Sequence, residues 1–445
     1  MPSLEAPLPA DSHKQNRYRT EINQLSASDR PAHDWYRFVL SFPPHLVRNY
    51  LNRFGVCDRQ RVLDPFCGTG TTLVECKKLG IPSVGVEANP MAYFASQAKV
   101  CWLPNPEGLM QHASQVAAAT YAELAATGIE GLLTLPLFEP FPHPPLQQLP
   151  YEQAKLILKD SISPLPLHKT LVLLKHLRQN ANPQYDSHER LALAKALTTS
   201  ISNLHFGPEV GVGRTKTDAP VVEAWIEGVR AIARDLLSLQ GLADTTAIVH
   251  HADARQLHRV LEPGSIDAVI TSPPYPNEKD YTRTTRLESV LLGFIRSKEE
   301  LRALKQGLVR SNTRNVYKID TDDQWVADHA EIQQIAAAIE ARRIELGKTS
   351  GFERLYARAT KLYFGGMARH LTELRSILRP GAQLAYVVGD QASYFRILIR
   401  TGSLLADIAQ SLGYEVVSID LFRTRTATAT REQLREEVVV LRWPG

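Results

Sequence analysis

The sequence predicts an α/β fold in which a mostly parallel sheet carries helices on both faces and is interrupted by two largely helical inserts. Short apolar runs bounded by glycine or proline indicate buried strands, and helical spacing of apolar residues follows them. Two longer helical stretches, about 106–126 and 188–203, fall between the strand signals and predict the first insert. The hydrophobic content of 44% over 445 residues is enough for a large core.

A glycine-rich turn is the first functional signal. The segment Val62–Thr72, with the sequence VLDPFCGTGTT, predicts a strand end, a tight turn and a helix that continues to about Leu79. Gly68 and Gly70 allow positive φ or a close approach of a ligand to the backbone. The dinucleotide fingerprint GxGxxG is not met, because Leu73 stands at its third glycine. An adenosyl ligand without a pyrophosphate therefore fits this turn better than a dinucleotide.

Two acidic residues follow other predicted strands. Glu87 ends the apolar run Ser83–Glu87, where it can accept hydrogen bonds from both hydroxyls of a ribose. Asp253 follows the predicted strand Thr246–Val249. Because ligands of open α/β sheets bind at the carboxyl ends of the strands, these residues predict a Rossmann-like nucleoside site.

A Pro-Pro turn directly follows another apolar run. Pro273 and Pro274, in the sequence TSPPY, have a fixed φ and no N–H, so their carbonyls face outward on a stiff turn. Ser272 and those carbonyls can accept hydrogen bonds from an exocyclic amine, and Tyr275 can stack on a flat ring. An ordinary turn after a strand could have the same sequence. The glycine-rich turn upstream is what favours the functional interpretation.

Together, the DPFxGxGTT segment and the SPPY turn resemble the S-adenosylmethionine-dependent DNA amino-methyltransferases, which methylate N4 of cytosine or N6 of adenine. The resemblance covers roughly residues 33–101 and 245–441 and implies the Rossmann-like sheet of class I methyltransferases. It implies that the Pro-Pro turn holds a flipped base, with the catalytic residues Ser272, Pro273, Pro274 and Tyr275. It also implies that S-adenosylmethionine is bound by Phe42, Pro43, Asp64, Pro65, Phe66, Gly68, Gly70, Thr71, Thr72, Glu87, Asp253 and Ala254.

The first residue of the Pro-Pro motif bears on the choice of base. Serine, here Ser272, is more usual in the cytosine-N4 group, whereas Asp or Asn is more usual in the adenine group. The resemblance therefore favours transfer to N4 of a cytosine that has left the duplex. Hydrogen bonds from its NH2 group to Ser272 and to the Pro273 carbonyl would favour an sp3 nitrogen, whose lone pair attacks the methyl group in line. Adenine-N6 methylation, RNA amino-methylation and a non-catalytic binding module stay open as alternatives.

Basic residues are concentrated beside the Pro-Pro turn, although the net charge of the chain is only +4. The window 278–318 has ten basic and five acidic residues. Phosphate contacts from such residues would position a strand without reading it, but a solvated helical face with ion pairs would have the same composition. The candidate nucleic-acid contacts are Tyr281, Arg283 and Arg286 in this window, Arg214 and Lys216 in a glycine-containing loop, and Arg425 in a threonine-rich segment.

Composition limits the other classes of function. No apolar run reaches the roughly 18 residues of a membrane span, so no membrane association is expected. The four cysteines show no CxxC spacing and the histidines are scattered, so no metal is expected. We expect a bacterial or archaeal cytoplasmic location at the nucleoid. Double-stranded DNA is the expected partner, and a cognate restriction endonuclease is a candidate second partner.

The order of these signals predicts six regions. They are a flexible tail at 1–30, a cofactor-binding half of the core at 31–101, a helical insert and candidate DNA-recognition region at 102–240, a core segment with the catalytic turn at 241–282, a basic helical insert at 283–362, and the C-terminal strands of the core at 363–445. Asp253 and Ser272 stand too close in sequence for a recognition domain between them. One of the two inserts, or a partner protein, is therefore expected to read the DNA sequence.

Overall fold

The computed structural model describes residues 25–37, 41–129, 145–206, 209–277, 279–426 and 433–445. Most of the predicted tail, and residues 427–432 in and after the threonine-rich segment, lie outside the described residues. The described part of the chain contains a seven-stranded sheet and a separate two-stranded hairpin.

The strands of the large sheet fall close to the positions that the apolar runs predict, whereas the two strands of the hairpin form in the segment that the sequence predicts as a glycine-containing loop. They are β1 Val62–Asp64, β2 Ser83–Glu87, β3 Leu204–Phe206, β4 Val210–Val212, β5 Ala247–His251, β6 Ile266–Thr271, β7 Leu378–Gly389, β8 Glu415–Thr426 and β9 Gln433–Arg442. The large sheet has the order β5-β2-β1-β6-β7-β9-β8, and β3 pairs with β4 in the hairpin. The first five strands in this sheet order, from β5 to β7, are parallel to one another. Strand β9 is antiparallel to both of its neighbours, β7 and β8. This is a Rossmann-like sheet of the kind that the resemblance to class I methyltransferases implies, and the predicted fold class is confirmed.

The helices also follow the predicted stretches. They are α1 Pro44–Arg53, α2 Thr71–Lys78, α3 Pro90–Val100, α4 Pro106–Ala126, α5 Tyr151–Ala154, α6 Pro164–Gln179, α7 Asp186–Ala196, α8 Val221–Leu239, α9 Tyr281–Thr284, α10 Arg286–Leu291, α11 Lys298–Gly307, α12 Ala330–Glu345, α13 Tyr356–Arg375 and α14 Thr401–Ser411. A short kinked turn at Arg30–His33 precedes α1, and a π-helical turn at Leu197–Ile201 follows α7. Of the helices in the described ranges, none combines the length and the apolar character needed to cross a membrane.

Successive residues of the central strands face opposite sides of the sheet, so both faces must be covered. Val62 packs in a cluster with Leu46 and Val47 of α1. Its neighbour Leu63 packs in a second cluster that includes residues of α12, α13 and α14. The sheet is therefore buried between helical layers, which leaves its carboxyl edge as the place for a ligand.

The first insert shares a hydrophobic core with the glycine-rich half of the protein. Buried residues of α4, α6, α7 and α8 belong to one cluster with residues of α2 and α3. Trp225 of α8 is fully buried, and its indole donates a hydrogen bond to the Glu189 carbonyl of α7 at 2.9 Å. The insert is thus packed into the core, and α13 continues across the boundary predicted at 362. The functional division into six regions stays a prediction.

A buried ionic cluster fixes the segment before the glycine-rich turn. The Glu75 carboxylate in α2 is only 1% exposed, and its Oε1 lies 2.7 Å from His33 Nε2. Arg48 in α1 contacts both Glu75 and Asp29. Asp29 and His33 precede residues 41–43 in the chain, and Arg48 and Glu75 follow them. The contacts among these four side chains therefore hold the intervening segment near the carboxyl edge of the sheet.

Burial of a histidine in the first insert generates a testable pH dependence. His188 packs edge-on against Trp35 at 5.5 Å and lies 2.9 Å from the Cys101 carbonyl through Nε2. Burial lowers the pKa of His188 from 6.5 to about 4. The unfolded chain therefore binds a proton at this residue below pH 6.5 that the folded chain does not bind, so stability is lost as the pH falls toward 4.

We expect His188→Gln to weaken this pH dependence. The wild type should lose about 2 kcal/mol of unfolding free energy at this residue between pH 7.5 and pH 5, and the variant should not. Chemical denaturation of both proteins at the two pH values measures the difference. Parallel stability curves would contradict the burial of a neutral imidazole.

Candidate active site

A cavity of about 540 Å³ opens at the carboxyl ends of β1, β2, β5 and β6, the edge at which the sequence predicts a ligand. It joins the glycine-rich turn and the Pro-Pro turn in one continuous space. Among the predicted cofactor and catalytic residues, its wall includes Phe42, Pro43, Pro65, Phe66, Gly68, Thr71, Glu87, Asp253, Ala254, Ser272, Pro273, Pro274 and Tyr275.

Glu87 lies at the end of β2 with its carboxylate against the glycine-rich turn. Its Oε2 accepts a hydrogen bond from Gly68 N, and its Oε1 accepts one from Asn89 N, both at 2.8 Å. Burial raises the pKa of the carboxyl from 4.5 to about 7. Each oxygen keeps a further lone pair, and the side chain lines the cavity, so both oxygens can accept a ribose hydroxyl.

Asp64 stands behind the cavity wall. It is fully buried, and its Oδ1 accepts hydrogen bonds from Thr271 Oγ1 at 2.6 Å and from Phe66 N at 3.2 Å. Burial raises the pKa of Asp64 to about 6. Its contacts link the end of β1 to the end of β6, so its effect on a ligand acts through the position of the two turns.

Gly70 and Thr72 are also outside the cavity wall and support the turn. Gly70 has a φ of +85°, and a Cβ at this position would lie 2.6 Å from Ser96 Oγ. Gly68 has a φ of +51°, as the glycine pattern predicts. The hydroxyl of Thr72 donates to the Ile270 carbonyl of β6 at 3.1 Å. The turn therefore needs glycine at position 70 both for its backbone conformation and for space.

Asp253 is held by Arg255, which no sequence motif marks as functional. Arg255 Nε and Nη2 donate to the two Asp253 carboxylate oxygens at 3.0 and 2.7 Å, and its Nη1 donates to Asp322 Oδ2 at 2.5 Å. The Arg255 side chain is only 6% exposed. Arg255 therefore fixes the orientation of Asp253 and ties it to the second insert. Only the short spacing from Asp253 could have indicated the pair.

The Pro-Pro turn presents its polar atoms to the cavity. Ser272 Oγ donates to the Val387 carbonyl of β7 at 3.1 Å and also contacts the Tyr275 phenol, and the oxygen keeps acceptor capacity toward the cavity. The ring of Tyr275 packs against Gly389, where a Cβ would lie 3.1 Å from Tyr275 Cε2. Because the adjacent strand holds both side chains, an amine acceptor and a flat aromatic surface are fixed side by side.

Tyr281 also lines the cavity and lies next to the Pro-Pro turn. Burial raises the pKa of its phenol to about 12, while contact with the Tyr275 backbone opposes that rise. Asp280 caps the start of α9 by accepting from Thr282 N at 3.0 Å. This cap places Tyr281 at the first position of the helix, facing the turn.

Several of the basic residues in the window 278–318 form ion pairs or hydrogen bonds with other residues of the protein. Arg310 pairs with Asp320 at 2.7 Å, with both side chains buried, and Lys305 pairs with Asp280 at 2.8 Å. Arg286 donates to the Thr282 carbonyl at 3.0 Å and to two other oxygens, and Arg283 and Arg286 are not in the cavity wall. Much of the local positive charge therefore stabilises the second insert.

The loop containing Arg214 and Lys216 forms the end of the β3–β4 hairpin and the segment after it. The Lys216 ammonium donates to the Ser200 carbonyl at 2.7 Å, whereas Arg214 is exposed. Burial lowers the pKa of Lys279, and Glu209 in the hairpin is one of the negative charges that oppose this shift. Since Lys279 lines the cavity, the hairpin lies near the cavity mouth.

The cavity wall contains further residues that the motifs did not predict. Leu308, Val309 and Ser311 come from the second insert, and Glu436 comes from β9. No local sequence pattern marks the insert residues, because their position depends on tertiary packing. Arg425, predicted from its threonine-rich context, also lines the cavity. Among the described residues, no group of three or more His, Cys, Asp or Glu side chains is arranged to hold a metal.

Comparisons with known proteins agree with this geometry. Residues 9–98 match the N6_N4_Mtase family model, described as DNA methylase. The Type II methyltransferase M.BsoBI of Geobacillus stearothermophilus is 24% identical over 470 residues, covering 95% of this chain and 86% of that protein. The Type II methyltransferase M.AvaI of Anabaena variabilis is 23% identical, covering 96% and 89%.

Solved structures give only distant likenesses. TrmN from Thermus thermophilus has a TM-score of 0.29 and 12% identity, covering 90% of this chain and 48% of that chain. The rRNA methyltransferase aviRa from Streptomyces viridochromogenes has a TM-score of 0.30 and 11% identity, covering 92% and 87%. These two likenesses are too weak to support an inference. The family model and the long curated relatives support an N4/N6 amino-methyltransferase of DNA that takes its methyl group from S-adenosylmethionine.

Proposed function

We propose that this protein transfers the methyl group of S-adenosylmethionine to N4 of a cytosine that has been turned out of a DNA duplex. The observation that carries the proposal is the single cavity that joins Glu87 and Asp253 to the Pro-Pro turn. Its two ends have the chemistry of the two substrates. Carboxylates stand where an adenosyl group would bind, and an amine acceptor with an aromatic ring stands where the base would bind.

The chemistry of the wall fits the cofactor. Glu87 supplies two acceptor oxygens for ribose hydroxyls, and Asp253 supplies acceptors for the adenine amine. Phe42 and Pro43 line the same space and are proposed to cover the methionine end. When bound, S-adenosylmethionine supplies an electrophilic methyl group on a sulfonium. The other predicted cofactor residues are proposed to act by shaping the turn.

The base end is proposed to activate the amine. Ser272 Oγ donates its hydrogen to Val387 O, so it is proposed to accept a hydrogen bond from the NH2 group of the base. The Pro273 carbonyl accepts the second N–H, and Tyr275 stacks on the ring. These contacts draw the nitrogen toward sp3 geometry and aim its lone pair along the line of attack, so position and orientation supply most of the rate.

Recognition of DNA is proposed to involve the first insert and two residues of the core. The β3–β4 hairpin near the cavity mouth presents the exposed Arg214, and Arg425 and Tyr281 lie in the cavity wall. Lys216, Arg283 and Arg286 have internal partners or lie away from the wall, so we assign them supporting positions. The Type II names of the relatives are consistent with a restriction-modification system, and a cognate endonuclease stays a prediction. The cytoplasmic location and the nucleoid association remain predictions.

Labelled products test the choice of base. The full-length protein is incubated with tritiated S-adenosylmethionine and unmethylated bacterial DNA, which is then digested to nucleosides. We expect the label in N4-methylcytosine. Label in N6-methyladenine would move the assignment to the adenine group of the same family, and label that enters only tRNA or rRNA would reject DNA as the substrate.

Replacement of the amine acceptor tests the mechanism. Ser272→Ala should lower turnover by about 100-fold or more, because the lost contact acts on the reacting nitrogen. Cofactor affinity, measured by calorimetry, should stay unchanged. Ser376→Ala is the matched control, since that exposed hydroxyl also donates to a carbonyl, at 2.9 Å. Equal turnover of Ser272→Ala and the control would remove Ser272 from the reaction.

Removal of the arginine beside Asp253 tests the cofactor end. Arg255→Met leaves Asp253 without its bidentate partner, so the dissociation constant of S-adenosylmethionine should rise about tenfold or more, which is about 1.4 kcal/mol. The exposed Arg259, changed to Met, is the control. Circular dichroism must show that Arg255→Met is folded, because a broken buried pair costs about 3–5 kcal/mol. A folded variant with wild-type affinity would show that the orientation of Asp253 does not matter.

A further inference from the structure

A pair of arginines shares one buried carboxylate at the base end of the cavity. Arg423 on β8 lies opposite Glu436 on β9, and its Nε donates to Glu436 Oε2. Arg425 Nε lies 3.6 Å from Glu436 Oε1, and Arg425 Nη2 donates to the Asp390 carbonyl at 3.2 Å. Glu436 is 6% exposed. We call these three side chains the guanidinium cluster; it has two positive charges and one negative charge.

The guanidinium cluster adjoins the Pro-Pro turn. A Cβ at Gly389 would lie 3.1 Å from the Tyr275 ring and 3.3 Å from Glu436 Cγ, so the ring and the carboxylate flank the same glycine. All three members of the cluster line the cavity that Ser272 and Tyr275 line. A base stacked on Tyr275 with its amine at Ser272 would therefore have the cluster beside it.

Arg425 has donor capacity that the described residues do not use. Its Nε is buried and has no hydrogen-bond acceptor among them. A buried donor without an acceptor is unfavourable, so rotation of this guanidinium away from Glu436 toward an acceptor supplied by a ligand in the cavity would gain a hydrogen bond. Phosphate oxygens are one such acceptor, but the place of Arg425 in the wall beside Tyr275 favours the base itself.

The two candidate bases differ in the acceptors that they offer. Beside its N4 amine, cytosine has N3 and then the O2 carbonyl, two neighbouring acceptors that match the fork of a guanidinium. Beside its N6 amine, adenine has N1 and then a C2–H, which accepts nothing. A donor pair at this place therefore gains one more hydrogen bond with cytosine, and a site built around that bond rejects a base that lacks it.

We infer that Arg425, oriented by Glu436, donates hydrogen bonds to the O2 and N3 edge of the flipped base and so selects cytosine over adenine. This inference rests on the proposed function and adds a specificity-determining residue to it. Arg423 neutralises the rest of the Glu436 charge. The net positive charge of the cluster suits a carbonyl oxygen and disfavours a second donor group.

The test compares Arg425→Met with Arg442→Met in the full-length protein. Arg442 is the matched control, because it lies at the far end of the same strand pair, is more than half exposed and pairs with Glu415. We expect Arg425→Met to lower kcat/KM for N4-methylcytosine formation at least about tenfold. The affinity for S-adenosylmethionine and the salt dependence of DNA binding should stay unchanged, and Arg442→Met should behave as the wild type.

Salt dependence separates base reading from a phosphate contact. If Arg425 bound a phosphate, the variant would keep its kcat, and its salt slope would fall by about one. That result, or unchanged kinetics, would overturn the inference. Glu436→Gln should lower kcat/KM in the same direction as Arg425→Met, because it releases the guanidinium; full activity of Glu436→Gln would contradict its orienting role.

The design distinguishes this inference from the proposed function. A wild type that labels only adenine overturns both. A wild type that labels cytosine, with an unaffected Arg425→Met variant, overturns the inference alone. If Arg425→Met does not fold, Arg425→Lys replaces it, since lysine keeps the charge but lacks the fork; wild-type kcat/KM in that variant would also overturn the inference.

Discussion

The hydrogen bond between Thr271 and Asp64 is the contact on which the site depends. β1 and β6 are adjacent parallel strands, and the Thr271 hydroxyl reaches Asp64 Oδ1 at 2.6 Å just where both strands end. The glycine-rich turn follows one strand and the Pro-Pro turn follows the other. Because both residues are fully buried, water does not compete for this bond, and the distance between the two turns is fixed by the sheet itself.

The parts of the molecule that could be predicted from sequence are those with local causes. Apolar runs placed the strands, and the residues just after them, such as Glu87 and Ser272, could be assigned to one edge because parallel strands end together. Arg255 and Glu436 could not be found in this way. Arg255 pairs with Asp322, which lies far along the chain. The position of Glu436 depends on the antiparallel register of β9, and the strand pattern alone does not give that register.

Charge counts alone do not distinguish DNA contacts from internal ion pairs, for a related reason. The basic window beside the Pro-Pro turn was compatible with DNA contacts or with internal ion pairs, and Arg310 and Lys305 are paired internally. A buried pair costs the desolvation of both charges, so it is tolerated only where the geometry is good, and sequence does not report geometry. Arg425, outside that window, lies in the cavity wall. The position of a charge relative to the sheet edge is therefore more informative than its local density.

The second insert and the cofactor end of the cavity share one charged side chain. Arg255 holds Asp253 on one side and Asp322 of the insert on the other, and Asp322 also contacts Arg369 of α13 at 3.3 Å. Residues 307–309 and Ser311 of the same insert line the cavity. Any shift of the insert that accompanies DNA binding must therefore change the surroundings of Asp253. A shift of that kind would change cofactor affinity and DNA affinity by the same factor, because binding linkage is reciprocal.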